Sequence, residues 1–277
     1  MTTVTQAVEA LVRKTVDLSD EHMGREWKWG VYDEEGLRFA LLMTHHELRD
    51  LAVRLAAKRP APTQASAILA QYHQAYRDLT GALASVRTED LDPAPAAGEW
   101  PVREVAKHAL GAEYGFLMIS RFGLDRRRAG KTEEPPEAEF DAYKVPFVAD
   151  RKAAVDGLSS ATVEQLRDAF ATAHIRNLQE LGDISDDEIE APVWFWDGAM
   201  PLRFRLHRFE EHLRQHTIQL DKTLVAVGRG PTEAHRLVRN IYNALADVEM
   251  GPATDDGSRD TCAKTIEERA AALSGGS

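Results

Sequence analysis

The chain has 277 residues, of which 43% are hydrophobic and 29% charged, and its 34 basic and 45 acidic side chains leave a formal net charge of −11. That length suits one large domain or one domain with an added piece, and the composition is that of a globular protein able to bury a real core. The acidic balance argues against a general nucleic-acid or anionic-membrane surface, and a lone cysteine, Cys262, excludes an internal disulfide framework.

Helical periodicity dominates the chain, and no stretch alternates long enough to predict a strand. Two helices are predicted over 4–18 and 35–58, with the aromatic loop REWKWGVYDEEG between them. Neither is long enough in apolar residues to span a membrane, which takes roughly 18. The opening MTTVTQAVEA lacks the basic start and apolar run of a secretory signal. With the single cysteine, this sets the expectation of a cytoplasmic protein. A third helix is predicted over 63–86, starting behind Pro62 with Thr63 as its cap. The turn DPAPAAG leads to a fourth, 101–121, with Pro101 at its first position, where a missing N–H costs nothing.

Residues 123–148 are rich in Gly, Pro and charge and read as a long excursion, with the basic run DRRR at 125–128 as a solvated loop. Thr162 and Gln165 stand at capping-box spacing and open a helix over 162–181, which ends at Gly182. A connection carrying VWFWDG at 193–198 precedes a helix over 201–227, begun by Pro201 and followed by Gly228 and Gly230. A last helix, 232–250, stops at Gly251-Pro252, and a mobile tail is expected beyond it. The expected architecture is all-α: residues 1–60 form an N-terminal helical extension, 61–250 a four-helix bundle with one further helix, and 251–277 the tail. The extension would cover the bundle end or make a homodimer contact.

The chemistry concentrates in EEHLRQHTIQLDK at 210–222. At about 100° per residue, His212 and His216 lie about 40° apart and project to one face of their helix, while His207 points about 140° away. Two imidazoles so placed can share a zinc or nickel ion, although the same spacing also describes two polar residues on one stripe. On the 101–121 helix, His108 sits beside an apolar face of Val102, Val105, Ala109, Ala112 and Phe116, a place that suits a hydrogen-bonded core histidine equally well.

GEWPVREVAKHALGAEY resembles the second-helix signature of the DinB-like superfamily, and EHLRQHTIQLDK resembles its fourth, in which HxxxH is followed by Gln three residues on. The resemblance covers roughly residues 62–228 and reaches toward the mycothiol-dependent maleylpyruvate isomerase-like proteins. It implies a DinB-like four-helix bundle with a three-histidine metal site, His108, His212 and His216. Three neutral imidazoles leave a dipositive ion with an open position, the pattern of catalytic rather than structural zinc. The activity it implies is thiol-dependent transfer or isomerisation, with a low-molecular-weight thiol, mycothiol by the composition of the chain, as co-substrate. Metal-assisted hydrolysis, with hydroxide at the open position, and a non-catalytic metal-binding bundle are the alternatives.

Around this site Glu104, one turn before His108, is a candidate to orient an imidazole or move a proton, or else a first-turn Glu placed by the helix dipole. Gln219 stands as a ligand-orienting residue, Arg205 and Arg208 as holders of a substrate carboxylate, and Trp194, Phe195 and Trp196 as an aromatic wall. Each also has a plain structural role to fall back on. His45, on the apolar side of the 35–58 helix, is read as a packing residue. His73 and His174 have no partner at ligand spacing and receive no role. The expected ligand is a small molecule, with neither nucleic acid nor membrane as partner.

Overall fold

The periodic segments become helices whose ends are set by local capping chemistry. The computed structural model describes residues 2–31, 35–195, 198–252 and 257–273, and among them it places eleven α-helices and one two-stranded sheet. No described helix is long and apolar enough to cross a membrane. The chain divides into two units: residues 1–61, 77–86 and 229–277 in one, 62–76 and 87–228 in the other.

The first unit holds α1 (Val4–Thr15), the short α2 (Asp20–Met23), α3 (Arg38–Ala56), α10 (Glu233–Glu249) and α11 (Ser258–Ala272). Thr3 and Gln6 close a capping box at the start of α1, and Thr232 accepts from the His235 amide at the start of α10. Helix α3 packs on α10 and α1 packs on α11, around a core that includes Leu11, Leu48, Leu51, Ile241 and Leu245. The boundary expected at residue 60 therefore does not separate α10 from the N-terminal helices; it belongs with them.

The mobile tail expected from 251 is corrected over most of its length. Cys262, Ala263, Ile266 and Ala270 recur at helical spacing and are buried, and the stripe joins the core against α1. Between them Arg269 is fully buried, with its guanidinium on Glu47 at 2.6 Å and on the Thr44 hydroxyl at 2.7 Å. The surrounding charges hide this stripe in the sequence. The terminal SGGS lies outside the described residues.

The second unit is the four-helix bundle: α4 (Gln64–Ala84) through its residue 76, α5 (Val102–Arg128), α8 (Val163–Leu181) and α9 (Leu202–Ala226). Helix α5 is its hub, packing on α8, α9 and the added α7 (Val145–Gly157). Its first turn is anchored by buried Arg103, which donates to Asp92 at 2.6 Å and to the Leu158 and Ala161 carbonyls at 2.8 Å. Capping at α8 is as expected, with Thr162 accepting from the Gln165 amide.

Two readings of this unit are corrected. Helix α5 continues seven residues past 121, so DRRR is its last turn rather than a loop. Arg126 is buried there and pairs with Glu133 at 2.7 Å and with Glu139, while Arg128 pairs with Glu188 at 2.7 Å. The excursion that follows holds α6 (Glu137–Tyr143) and the start of α7, tied down by those ion pairs. The second correction is a β-hairpin, β1 (Pro192–Phe195) and β2 (Gly198–Pro201), antiparallel with Val193 opposite Met200 and Trp194 opposite Ala199. Four-residue strands are too short for alternation to show. A Cβ at Gly123 would stand 2.1 Å from Val193 Cγ1, so the absence of a side chain there is what lets β1 lie on α5.

Candidate metal centre

A cavity of about 1190 Å³ lies within the second unit, walled mainly by α5 and α9. On α9, Leu206, Phe209, Leu213 and Leu220 form the buried stripe, and His212 and His216 lie on the same buried side, 6% and 5% exposed. Across from them α5 presents His108, which is exposed and lines the cavity. Each of the three histidines offers a ring nitrogen, and these atoms all lie within 4.8 Å of one another. The Nε2 atoms of His212 and His216 are 3.1 Å apart, and the His108 ring centre is 4.7 Å from that of His216 and 5.2 Å from that of His212.

The electrostatics keep these rings neutral. Burial, reinforced by His216, His108 and Arg208, pulls His212 down to about 3. Burial also lowers His216, opposed by its bond to Gln219, and lowers His108 with help from Arg151. Neutral imidazoles present a free lone pair, the form a metal needs. His216 Nδ1 lies 2.8 Å from Gln219 Oε1, an acceptor, so the proton sits on Nδ1 and Nε2 faces its neighbours. Two nitrogens bound at about 2.0–2.1 Å in a tetrahedron stand about 3.3 Å apart. The observed Nε2 pair is near that spacing, so the donor set fits a divalent ion.

The other residues singled out in the sequence divide. Gln219, Arg205, Arg208 and Trp194 all line the cavity. Arg205 is buried, stands 5.4 Å over the Phe116 ring and donates to the Trp194 carbonyl at 2.6 Å. Burial, with Arg208 nearby, lowers it to about 10. Arg208 pairs with Glu211 at 2.6 Å, and the Trp194 indole donates to the Pro135 carbonyl at 2.7 Å. Trp196 lies outside the described residues, as does the Phe195 side chain. Glu104 does not line this cavity: it is exposed, holds Lys107 at 2.9 Å, and shares with His108 a smaller hollow of about 560 Å³. His45 belongs to the other unit and does not line the cavity.

Residues that sequence reasoning missed complete the walls. Trp100 packs its ring 5.2 Å from that of His108. Arg151 of α7 lies over Gly111, where a Cβ would meet its guanidinium at 3.4 Å. The Trp of GEWPV was visible as part of a motif, but Arg151 sat in a segment with no helical signal. Deeper in the bundle, Glu113 is buried and accepts from the Tyr72 hydroxyl and from Asn177 Nδ2 at 3.1 Å. Beside Tyr72, His73 Nδ1 meets His174 Nε2 at 2.9 Å, and Tyr76 stacks on His174. These two histidines are partners across helices, which spacing within one helix cannot reveal.

Burial raises Glu113 to about 8, overcoming its two hydrogen bonds. Its folded pKa lies above the unfolded value, so its contribution to stability is full below about 4.5 and is lost as pH rises through about 8. Glu113→Gln keeps both acceptor contacts and should flatten that decline, gaining on the order of 4 kcal/mol relative to wild type between the two limits. Denaturation midpoints measured from pH 5 to 9 check this; parallel curves for the two proteins would refute it.

No curated protein and no solved structure matches the chain. Residues 71–220, which include all three histidines, match the model of the DinB superfamily. That stretch is more than half of the chain and covers the bundle that carries the site, so the protein belongs to the DinB superfamily.

Proposed function

We propose that this protein is a divalent-metal-dependent enzyme in which His108, His212 and His216 hold a zinc or nickel ion and a low-molecular-weight thiol serves as co-substrate for S-transfer or isomerisation. The observation that carries the reading is the convergence of three neutral imidazoles at the wall of a large cavity, with His108 exposed to it. A structural ion would instead be closed off by four protein ligands. When bound, such an ion supplies Lewis acidity and holds a thiol as thiolate at neutral pH.

The chain's own residues do the rest. Gln219 accepts the Nδ1 proton of His216 and so fixes that ring's tautomer and orientation. Trp100 packs against His108 and Phe116 against His212, which restricts how the two rings can turn. No cysteine lines the cavity, and Cys262 is buried in the other unit with its thiol pushed up to about 11 by burial. A sulfur nucleophile must therefore come from outside the chain, which a low-molecular-weight thiol supplies.

The test is to load the protein with Zn²⁺ or Ni²⁺ and follow consumption of mycothiol with 1-chloro-2,4-dinitrobenzene, alongside cleavage of p-nitrophenyl acetate without thiol. Turnover that needs both metal and thiol, and that His108→Ala abolishes with its circular dichroism unchanged, is the expected result. Metal-dependent ester cleavage without thiol would move the assignment to hydrolysis. Bound metal with neither activity, and a large fall in Tm on adding EDTA, would leave a structural ion.

A further inference from the structure

The whole chain carries −11, yet the cavity wall reverses that sign: Arg151, Arg205, Arg208 and Lys222 face one acidic residue, the exposed Glu99. Arg208 stands one turn before His212 on α9. Its side chain is only 16% exposed, and its Nε is buried with no hydrogen-bond partner among the described residues. Its one ion pair uses Nη1 and runs to Glu211, whose side chain is 68% exposed and well solvated. A surface pair of this kind contributes little, so the Arg208 guanidinium on the cavity wall is free to exchange it for a stronger acceptor. The wall beside it is apolar, with Phe116, Ile119, Phe140 and Trp194.

We infer that this cavity takes an organic anion, a carboxylate- or phosphate-bearing compound with an apolar body, whose charged end is held by Arg208 and whose approach is favoured by Arg151 and Lys222. Cationic walls in a concave site focus field lines and raise the local concentration of anions, here against the charge of the protein as a whole. A guanidinium gives a planar, multidentate grip on carboxylate or phosphate oxygens, and the aromatic wall supplies area for the apolar body. A cationic ligand would be repelled by Arg208, and a neutral one would meet its donors only with the weaker, uncharged hydrogen bond. The inference names the substrate class of the same cavity and rests on the cavity being the reaction site, but the binding it describes requires no metal.

The probes are 2-naphthoate, 2-naphthyl phosphate, neutral 2-naphthamide and 2-naphthylmethylammonium, titrated calorimetrically into metal-free and zinc-loaded protein. The anions should bind at least about tenfold more tightly than the amide in both preparations, and the cation most weakly. Arg208→Gln should erase that preference, and Arg151→Gln should reduce it a fewfold, which covers the case in which the first variant fails to fold. The two anions then tell carboxylate from phosphate. Equal affinity for 2-naphthamide, or no saturable binding of either anion up to about 10 mM, would overturn the inference. An anion preference seen only with zinc and untouched by Arg208→Gln would also overturn it, while leaving the metal centre standing. A preference that Arg208→Gln removes from a protein that binds no metal would uphold it and sink the metal reading instead.

Discussion

His212→Ala should cost this protein its metal. Purified without a histidine tag, the wild type is expected to hold close to one equivalent of zinc or nickel per chain by elemental analysis, and the variant essentially none. The loss follows from geometry: His212 Nε2 stands 3.1 Å from His216 Nε2, and without it only two imidazoles on different helices remain. Removing one of three ligands from a site of this kind should weaken binding by a factor of 100 or more, roughly 3 kcal/mol. Because burial holds His212 far below the ordinary imidazole range, protons should compete with the metal only at distinctly acid pH, so the wild type should keep its ion at pH 6. His212 is buried, so His212→Gln serves as a companion that fills the space without the imidazole. Retention of a full equivalent in both variants would remove His212 from the site, and absence of metal from wild type after incubation with both ions would end the metal reading.

The largest loss of stability is expected at Arg269. Its side chain is fully buried in the first unit, with Glu47 at 2.6 Å, the Thr44 hydroxyl at 2.7 Å and the Trp29 ring 5.3 Å from its guanidinium carbon. Arg269→Met removes the buried partner of the pair and leaves the Glu47 carboxylate, 25% exposed, to water, a change expected to cost about 2–3 kcal/mol. Replacing both, as in Arg269→Met with Glu47→Leu, should recover much of that loss, because the desolvation cost of the pair disappears with its attraction. Urea denaturation of the three variants gives the comparison. A single variant within about 1 kcal/mol of wild type would show that the pair contributes little to holding α11 in place.

How far the sequence could be read depends on the range of the interaction involved. His212 and His216 sit one turn apart, and a helix of known pitch puts them on one face, so their pairing was legible. Capping at Thr162 and Gln165 was legible for the same reason: the hydrogen bonds close within four residues. Arg126 was misread because the carboxylates that make it an interior residue, Glu133 and Glu139, lie beyond a turn that looked like open loop. The β-hairpin was missed because its strands are four residues long, too short for alternation to show, and its seat on α5 at Gly123 lies some seventy residues earlier in the chain.

Local periodicity was enough to determine an all-α bundle and its four principal helices, and the resemblance of two segments to DinB-like signatures named the candidate ligands His108, His212 and His216. Tertiary structure alone decided that α11 is a packed helix, that α10 groups with the N-terminal helices, and that Arg151 and Trp100 line the cavity of the three histidines while Glu104 does not. It also buried Glu113 with Tyr72 and Asn177, and set His73 against His174. The physical reason is common to these cases. Helix formation and capping are satisfied within a few residues, whereas burial, charge pairing and cavity walls join side chains from helices far apart in sequence, where no spacing rule applies.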